Sequence, residues 1–568
     1  MGYDLLLINT HRQYDLSTGF QCDWLGIYQL ATWMEGNGFP ARAFAGYAHE
    51  IPPLLEREIP TGVSVVGFSC DYENREEVAQ FSRMVRERYG LPVIVGGPQA
   101  IALGKPFLEE SRANVIVRGE GELPLLALMQ YFMDGSGSLE TIPGIVFLED
   151  GEERRTPLPP PIMDLDSLPP IDPALVLDRR FRASTASIIT ARGCPFRCSF
   201  CYEGGNTRSV RWRSIENVMA ELRQALDANP SIHFVLFTDD TFTLHAARVR
   251  AFCEALEEYR SRRDFCWFAE AHPQTLLKHP DLVPRMVRAG LGSLQIGIES
   301  GNAHILKAYN KKTSPAMIED TVALCHGADV PHLVGNIIVG GAHETEESIA
   351  ASCHFGLRLL DAGAGMLELH AVHFWPLPFT AMTTRPGDFG MEILDPQSRT
   401  AVTDYPVVRC GTLGPERLSE ARDKMAKQFH DRIFRNALTL PPTRIERVLR
   451  YWRRYGLHSA YVEPLLNVSR FRRFCLLREN DAIVRSEEIP TPEIGQWHPQ
   501  RQCQPLSVNG KYFADDLAIE EEAFRVLVAS AGRMTVSEAA RHCGMEQERF
   551  LAVARRLEND MALAFCRY

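Results

Sequence analysis

The chain has 568 residues, 45% hydrophobic and 23% charged, with a formal net charge of −11. That is an ordinary globular composition, long enough for roughly three or four domains. The acidity argues against a phosphate-tracking nucleic-acid binder, and no apolar run approaches the ~18 residues of a membrane span. From the N-terminus, residues 1–150 alternate short apolar runs with amphipathic stretches. Strands are predicted at 4–9, 41–46, 64–69, 91–97 and 113–119, with helices over 25–36 and 76–89 between them. Near-continuous apolar strands separated by helices indicate a parallel sheet covered on both faces. In such a doubly wound, Rossmann-like domain, ligands sit beyond the carboxyl ends of the strands.

Residues 151–182 are proline-rich and predict an extended linker. Over residues 183–390 the βα alternation resumes, with strands at 186–193, 233–240, 265–271, 293–300, 333–341 and 366–376. Six such units predict a partial (β/α)6 TIM barrel with its site at the strand carboxyl ends. Residues 400–568 are helical, with basic patches at Arg444–Arg454 and Arg470–Arg473 that read as solvated helix faces. The last fifty residues or so follow a winged-helix order, which suits either a DNA-binding or a peptide-binding module. An edge around 505–513 could accept a peptide strand; a lid over the barrel is the plainer alternative.

The N-terminus reads as a first strand rather than a secretory signal, and Leu6 stands where lipidation at Gly2 would want Ser or Thr. The expected compartment is a reducing cytoplasm, where clustered cysteines bind metal or react. Of the 14 cysteines, three crowd into one loop: Cys194, Cys198 and Cys201. Structural zinc wants four closed ligands, and the next candidates, Cys253 and Cys266, lack paired spacing. A four-iron cube held by three cysteines leaves one iron open to a small molecule.

Cys194-x3-Cys198-x2-Cys201, with an aromatic before the last cysteine and after the first strand of a partial barrel, resembles the radical-SAM signature. The preceding doubly wound domain, with Gly96-Gly97-Pro98-Gln99 and Gly119-Glu120-Gly121-Glu122, resembles the cobalamin-binding subfamily over residues 1 to about 385. The resemblance implies a [4Fe-4S] cluster on the three cysteines and S-adenosylmethionine chelating its open iron. Phe200, Tyr202, Thr238, Asp239, Asp240, Glu270, Glu299 and Asn336 fall where that family contacts S-adenosylmethionine. His272 stands where relatives often carry arginine.

The same resemblance implies cobalamin held by Thr10, Ser69, Cys70, Tyr72, Gly96, Gly97, Pro98, Gln99, Gly119, Glu120, Gly121 and Glu122. There is no Asp-x-His-x-x-Gly motif, so cobalamin is expected without a histidine lower ligand, with Tyr72 facing the lower side. Trp375 and Phe379 are expected to line the substrate side.

The implied activity is a cobalamin-dependent C-methyltransferase acting on an unactivated carbon of a peptide or secondary metabolite. One S-adenosylmethionine supplies the methyl group through cobalamin. A second gives the 5′-deoxyadenosyl radical, its electron coming from an external flavodoxin- or ferredoxin-type donor. Alternatives are a cyclase or rearrangement enzyme of the same subfamily, and a cobalamin- or redox-sensing DNA-binding regulator. A dinucleotide site is disfavoured because no Gly-x-Gly-x-x-Gly follows the first strand. A second cluster, as in methylthiolating relatives, is disfavoured because only Cys22 and Cys70 fall in the first domain.

Overall fold

Residues Leu5, Leu6, Leu7 and Ile8 of β1 (Leu5–His11) are all buried, because the sheet they join is covered on both faces. Side chains alternate across a strand, so Leu6 and Ile8 enter one core cluster with Val66, Phe68, Val93 and Val95. Leu5 and Leu7 enter the opposite one with Val65, Ile94, Val115 and Ile145. The sheet contains β2 (Ala41–Tyr47), β3 (Val65–Ser69), β4 (Val93–Gly96), β5 (Val115–Val117), β6 (Ile145–Glu149) and β7 (Glu152–Arg155). Its order is β2-β1-β3-β4-β5-β6-β7, parallel up to β5 and antiparallel beyond. The computed structural model describes every residue except 1, 12–22, 136, 179, 204–208, 397–404, 468–470, 472–473, 475–482, 509, 516 and 567–568. Cys22 and most of the Arg470–Arg473 patch therefore lie outside the described residues.

The hairpin β6–β7 was not expected; the linker was placed from residue 151. Asp150 and Gly151, both at positive φ, make its turn. Asp-Gly between two strands suits the twist of a tight hairpin. After β7 the proline-rich chain runs on, with short 3-10 turns at Leu165–Ser167 and Pro173–Leu175.

The second sheet has the order β15-β14-β13-β12-β11-β8. Its strands are β8 (Thr185–Ile188), β11 (Phe234–Phe237), β12 (Cys266–Ala271), β13 (Leu291–Glu299), β14 (His332–Val339) and β15 (Leu367–His373). Every register from β8 through β14 is parallel, which makes an open six-stranded barrel. Phe268 and Glu270, Gln295 and Gly297, and Val334 and Asn336 alternate with fully buried neighbours. These half-buried positions form the concave side of the strands. A two-stranded ribbon, β9 (Ala191–Arg192) with β10 (Arg211–Trp212), brackets the cysteine loop.

The chain divides into two compact units. Residues 1–359 with 369–427 form one, so the doubly wound domain and the barrel share a unit; it also holds the ribbon β16 (Met391–Ile393) and β17 (Val408–Cys410). Residues 360–368 with 428–568 form the other. There, β18 (His498–Arg501) precedes a meander of β19 (Pro505–Val508), β20 (Lys511–Ala514) and β21 (Leu517–Ile519). Helices Glu521–Ala529, Val536–His542 and Gln547–Asn559 follow, and β22 (Leu563–Cys566) returns to pair with β18. The winged-helix order read from the sequence is present; Thr535 and Glu538 close a reciprocal cap on the second helix. No helix among the described residues is long and apolar enough to cross a membrane.

Candidate functional site

The three-cysteine loop is fixed at both ends. Asp239, buried after β11, accepts hydrogen bonds from the backbone of Thr190 (2.6 Å) and Ala191 (3.0 Å), just before the loop begins. Cys194 Sγ lies 3.6 Å from Thr241 Oγ1. Further on, the loop is stapled to the segment 308–311. Ser199 N donates to Tyr309 O (2.8 Å), Ser199 Oγ to Ala308 O (3.0 Å), and Asn310 Nδ2 to Arg197 O (2.6 Å). Met382 N donates to Ser199 O at 3.1 Å. Cys194, Cys198 and Cys201 are half-buried cysteines held in this frame. No trio of His, Cys, Asp or Glu among the described residues converges on a single-ion position. A tetrahedral zinc needs such convergence; the thiolates of a four-iron cube each ligate a different vertex and stand further apart.

The staples carry a cation that the sequence did not disclose. Lys311 Nζ is buried 2.8 Å from Glu299 Oε1 and sits 5.9 Å over the Phe200 ring, between Cys198 and Cys201 in the chain. A Cβ on Gly297 would overlap both Lys311 Nζ and Glu299 Oε1, so glycine is what lets the pair fit. Glu299 itself takes a left-handed backbone (φ 62°). Burial pushes the Cys198 thiol up to about 11, and Lys311 pulls it back. His272 stacks face to face on Phe196 of the loop, ring centroids 3.9 Å apart. Its Nδ1 accepts from Gln274 N at 3.2 Å, which leaves the proton on Nε2. Burial, with help from Lys311, holds its pKa down to about 3, so the ring is a neutral donor. His272 Nε2 is buried without a partner among the described residues, a donor suited to an acceptor on a bound group.

Glu270 stands at the end of β12. Burial, then the Asp240 carboxylate, push it up to about 7 against the pull of Lys311. An ordinary glutamate titrates near 4.5, so between those values the folded chain holds a proton that the unfolded chain has lost. Stability through this group is greatest below 4.5 and drains as pH rises toward 7. Glu270→Gln is expected to stabilise the cofactor-free protein by about 1–3 kcal/mol at pH 8 and to change little at pH 4. Thermal midpoints across that range check it; equal effects at both ends would refute the assignment.

Thr238 N continues the sheet by donating to Ile188 O (3.1 Å), Asp240 is solvent-facing, and Asn336 lies opposite Gly297 on the concave side. Tyr202 and Phe379 are tilted against each other at 6.4 Å. Phe379 is 37% exposed and held at φ 65°, an outlier for a bulky residue.

In the first domain, the strand order reverses direction of growth between β1 and β3, which makes their carboxyl ends the ligand crevice. Asn9 and Thr10 end β1 there, beside Ser69 of β3. Asn9 Oδ1 and Thr10 Oγ1 are buried and have no hydrogen-bond partner among the described residues. Two orphaned polar atoms at a switch point fit a polar ligand such as cobalamin. The Gly96 position opens onto free space. Gly97 and Cys70 are packed backbone to backbone, with Pro98 opening the helix Pro98–Leu103 and Gln99 N donating to Cys70 O at 3.3 Å. His11 is packed between Trp24 and Tyr47 (5.8 and 4.7 Å). Gly119 takes positive φ, and Gly121 precedes the helix Glu122–Asp134. The carboxylates of Glu120 and Glu122 are engaged by Arg192 and Arg211. Tyr72 stacks on Trp375 at 5.2 Å and 28°.

Comparison with known proteins agrees with this geometry. A radical SAM superfamily domain matches residues 188–356. The chain is 28% identical over 317 residues to an uncharacterized methyltransferase of Pyrococcus horikoshii, covering 55% of this chain and 67% of that one. It is 24% identical over 421 residues to an anaerobic magnesium-protoporphyrin IX monomethyl ester cyclase of Rubrivivax gelatinosus, covering 72% and 69%. Among solved structures, the fold is similar to that of TsrM from Kitasatospora setae, a radical S-adenosylmethionine methyltransferase with cobalamin and a [4Fe-4S] cluster bound. The TM-score is 0.57 at 18% identity, covering 76% of this chain and 85% of that one. With cysteine loop, open barrel and preceding doubly wound domain in place, residues 188–356 carry a radical SAM superfamily domain, and the fold of the chain is similar to that of a cobalamin-bound radical SAM methyltransferase.

Proposed function

We propose that the chain is a cobalamin-dependent radical SAM C-methyltransferase acting on an unactivated carbon of a peptide or secondary metabolite. The observation that carries this reading is the Tyr72–Trp375 stack. Tyr72 follows the switch-point strand β3 and Trp375 follows the barrel strand β15, so the two ligand-binding faces meet at one mouth. When bound, the [4Fe-4S] cluster with S-adenosylmethionine supplies a 5′-deoxyadenosyl radical, and cobalamin supplies a transferable methyl group.

The chain's own residues set the stage for that chemistry. Cys194, Cys198 and Cys201 would hold three irons of a bound [4Fe-4S] cluster and leave the fourth to S-adenosylmethionine. Lys311 and the neutral His272 offer a cation and an N–H donor beside the loop, suited to a carboxylate. Glu270, kept part-protonated near neutral pH, and Asn336 offer hydrogen bonds to hydroxyls from the concave side. Asn9, Thr10 and Ser69 would offer polar atoms to cobalamin at the crevice, and Tyr72 would stand beside it where no histidine ligand is available. Phe379, Tyr202 and Trp375 would line the substrate mouth and keep water out of it. The electron comes from an external flavodoxin- or ferredoxin-type donor, and the cytoplasm is the proposed compartment.

The likeness to the Rubrivivax gelatinosus cyclase favours one second reading, cyclisation without methyl transfer. Anaerobically reconstituted full-length chain is expected to retain hydroxocobalamin and to release 5′-deoxyadenosine under dithionite. Product mass then separates the readings: a gain of one methylene unit marks transfer, and no gain marks cyclisation. A chain that carries iron and sulfide yet retains no hydroxocobalamin would sink both.

A further inference from the structure

We infer that Glu120 and Glu122 are positioning residues that clamp the cysteine loop to the doubly wound domain, rather than contacts to cobalamin. The inference rests on the cobalamin reading only for what the clamp positions. Glu120 Oε1 accepts from Arg192 Nη1 (3.2 Å) and Arg211 Nη2 (2.7 Å). Glu120 Oε2 accepts from Arg211 Nη1 and from Ile162 N, each at 3.0 Å. A carboxylate has about four acceptor sites, so this one is filled from within the chain. Glu122 Oε1 accepts from Arg192 Nη2 at 2.7 Å, and its side chain is only 4% exposed.

The arginines explain why two carboxylates are needed. Arg192 and Arg211 lie directly opposite each other on the ribbon β9–β10. Like charges across an antiparallel pair repel, and here Glu120 bridges them. Arg211 Nη1 also donates to Ile162 O (2.6 Å), which ties in the proline-rich segment. Arg192 is followed by Gly193 and Cys194. The loop after β5, on the crevice side of the first sheet, therefore grips the residue that leads directly into the cysteine loop. Asp239 holds the two residues before it from the barrel side. The separation between the cobalamin crevice and the cysteines is set at this joint.

Full-length Glu122→Gln, Arg192→Gln and the double variant test it in two arms. In the cofactor-free protein, each single variant is expected to speed amide exchange over residues 189–194 about tenfold, with the double variant no worse than either single one, because all three break the same clamp. In the second arm, hydroxocobalamin titrated by absorbance is expected to bind each variant within about twofold of the unaltered chain. Loss of hydroxocobalamin affinity in Glu122→Gln but not in Arg192→Gln, with exchange unchanged, would overturn the inference and return the carboxylates to the ligand. If the unaltered chain itself retains no hydroxocobalamin, the cobalamin reading fails while the exchange arm still decides the clamp. Should the neutral variants not fold, the reversed pair E122R with R192E is expected to restore the protection that either reversal alone loses. Absence of that rescue would equally overturn the clamp.

Discussion

Cys198→Ala is expected to leave anaerobically reconstituted protein with a small fraction of its iron and sulfide, and to lower 5′-deoxyadenosine release by at least about a thousandfold. Cys198 is the thiol whose neighbours are most firmly stapled, by Arg197 O to Asn310 on one side and by Ser199 to Ala308 and Tyr309 on the other. None of these hydrogen bonds uses the Cys198 side chain, so the substitution tests the missing ligand. Burial raises this thiol to about 11, so the metal-free protein carries it protonated at neutral pH. Cluster assembly must then displace protons, and iron uptake should improve as pH rises toward 9. The control is Cys325→Ala, a buried thiol on the helix Pro315–Gly327, which should load iron as the unaltered chain does. Equal iron in both variants would refute the three-cysteine cluster.

Gly97→Ala is expected to cost about 2–4 kcal/mol of stability and at least about a hundredfold in hydroxocobalamin affinity. Gly97 adopts φ 103°, a conformation that L side chains rarely take. A Cβ there would overlap Cys70 O and lie 2.8 Å from Cys70 N. Both atoms are backbone, tied to Gly96 O (2.8 Å) and Gln99 N (3.3 Å), so neither can step aside without opening the strand end. Gly96→Ala is the informative partner. Its Cβ meets nothing within 4 Å, so chain stability should hold while cobalamin affinity falls if the ligand covers that face. Chemical denaturation and absorbance titration separate the two effects. Equal stability of the two variants would show that the Gly97 contact is not what holds the crevice.

The parts of the fold with a short-range signature were legible in the sequence. Near-continuous apolar runs and their lengths marked β1 to β5 and the six barrel strands, because a strand covered on both faces must be apolar throughout. The hairpin β6–β7 was missed although Asp150-Gly151 carries its turn signal, because the nearby prolines suggested a linker. Cysteine spacing marked the loop, since neighbouring thiolates must come from one short stretch of chain.

The amino-acid sequence by itself determined β1 to β5, the six barrel strands, the three-thiol loop and the glycine-rich strand ends, all of which rest on interactions among near neighbours. Only the tertiary structure decided which charges meet. Lys311 stands beside Lys312 in the chain and resembles any surface lysine; the chain path places it in a buried pair with Glu299 beside the cysteines. Glu120 and Glu122 sit among strand-end glycines; the ribbon β9–β10 brings two arginines to them, a pairing no local pattern announces. Tyr72 and Trp375 are separate aromatics until the crevice and the barrel mouth converge. Coulomb energy and ring stacking depend on distance through space, and the order in which strands join a sheet sets that distance.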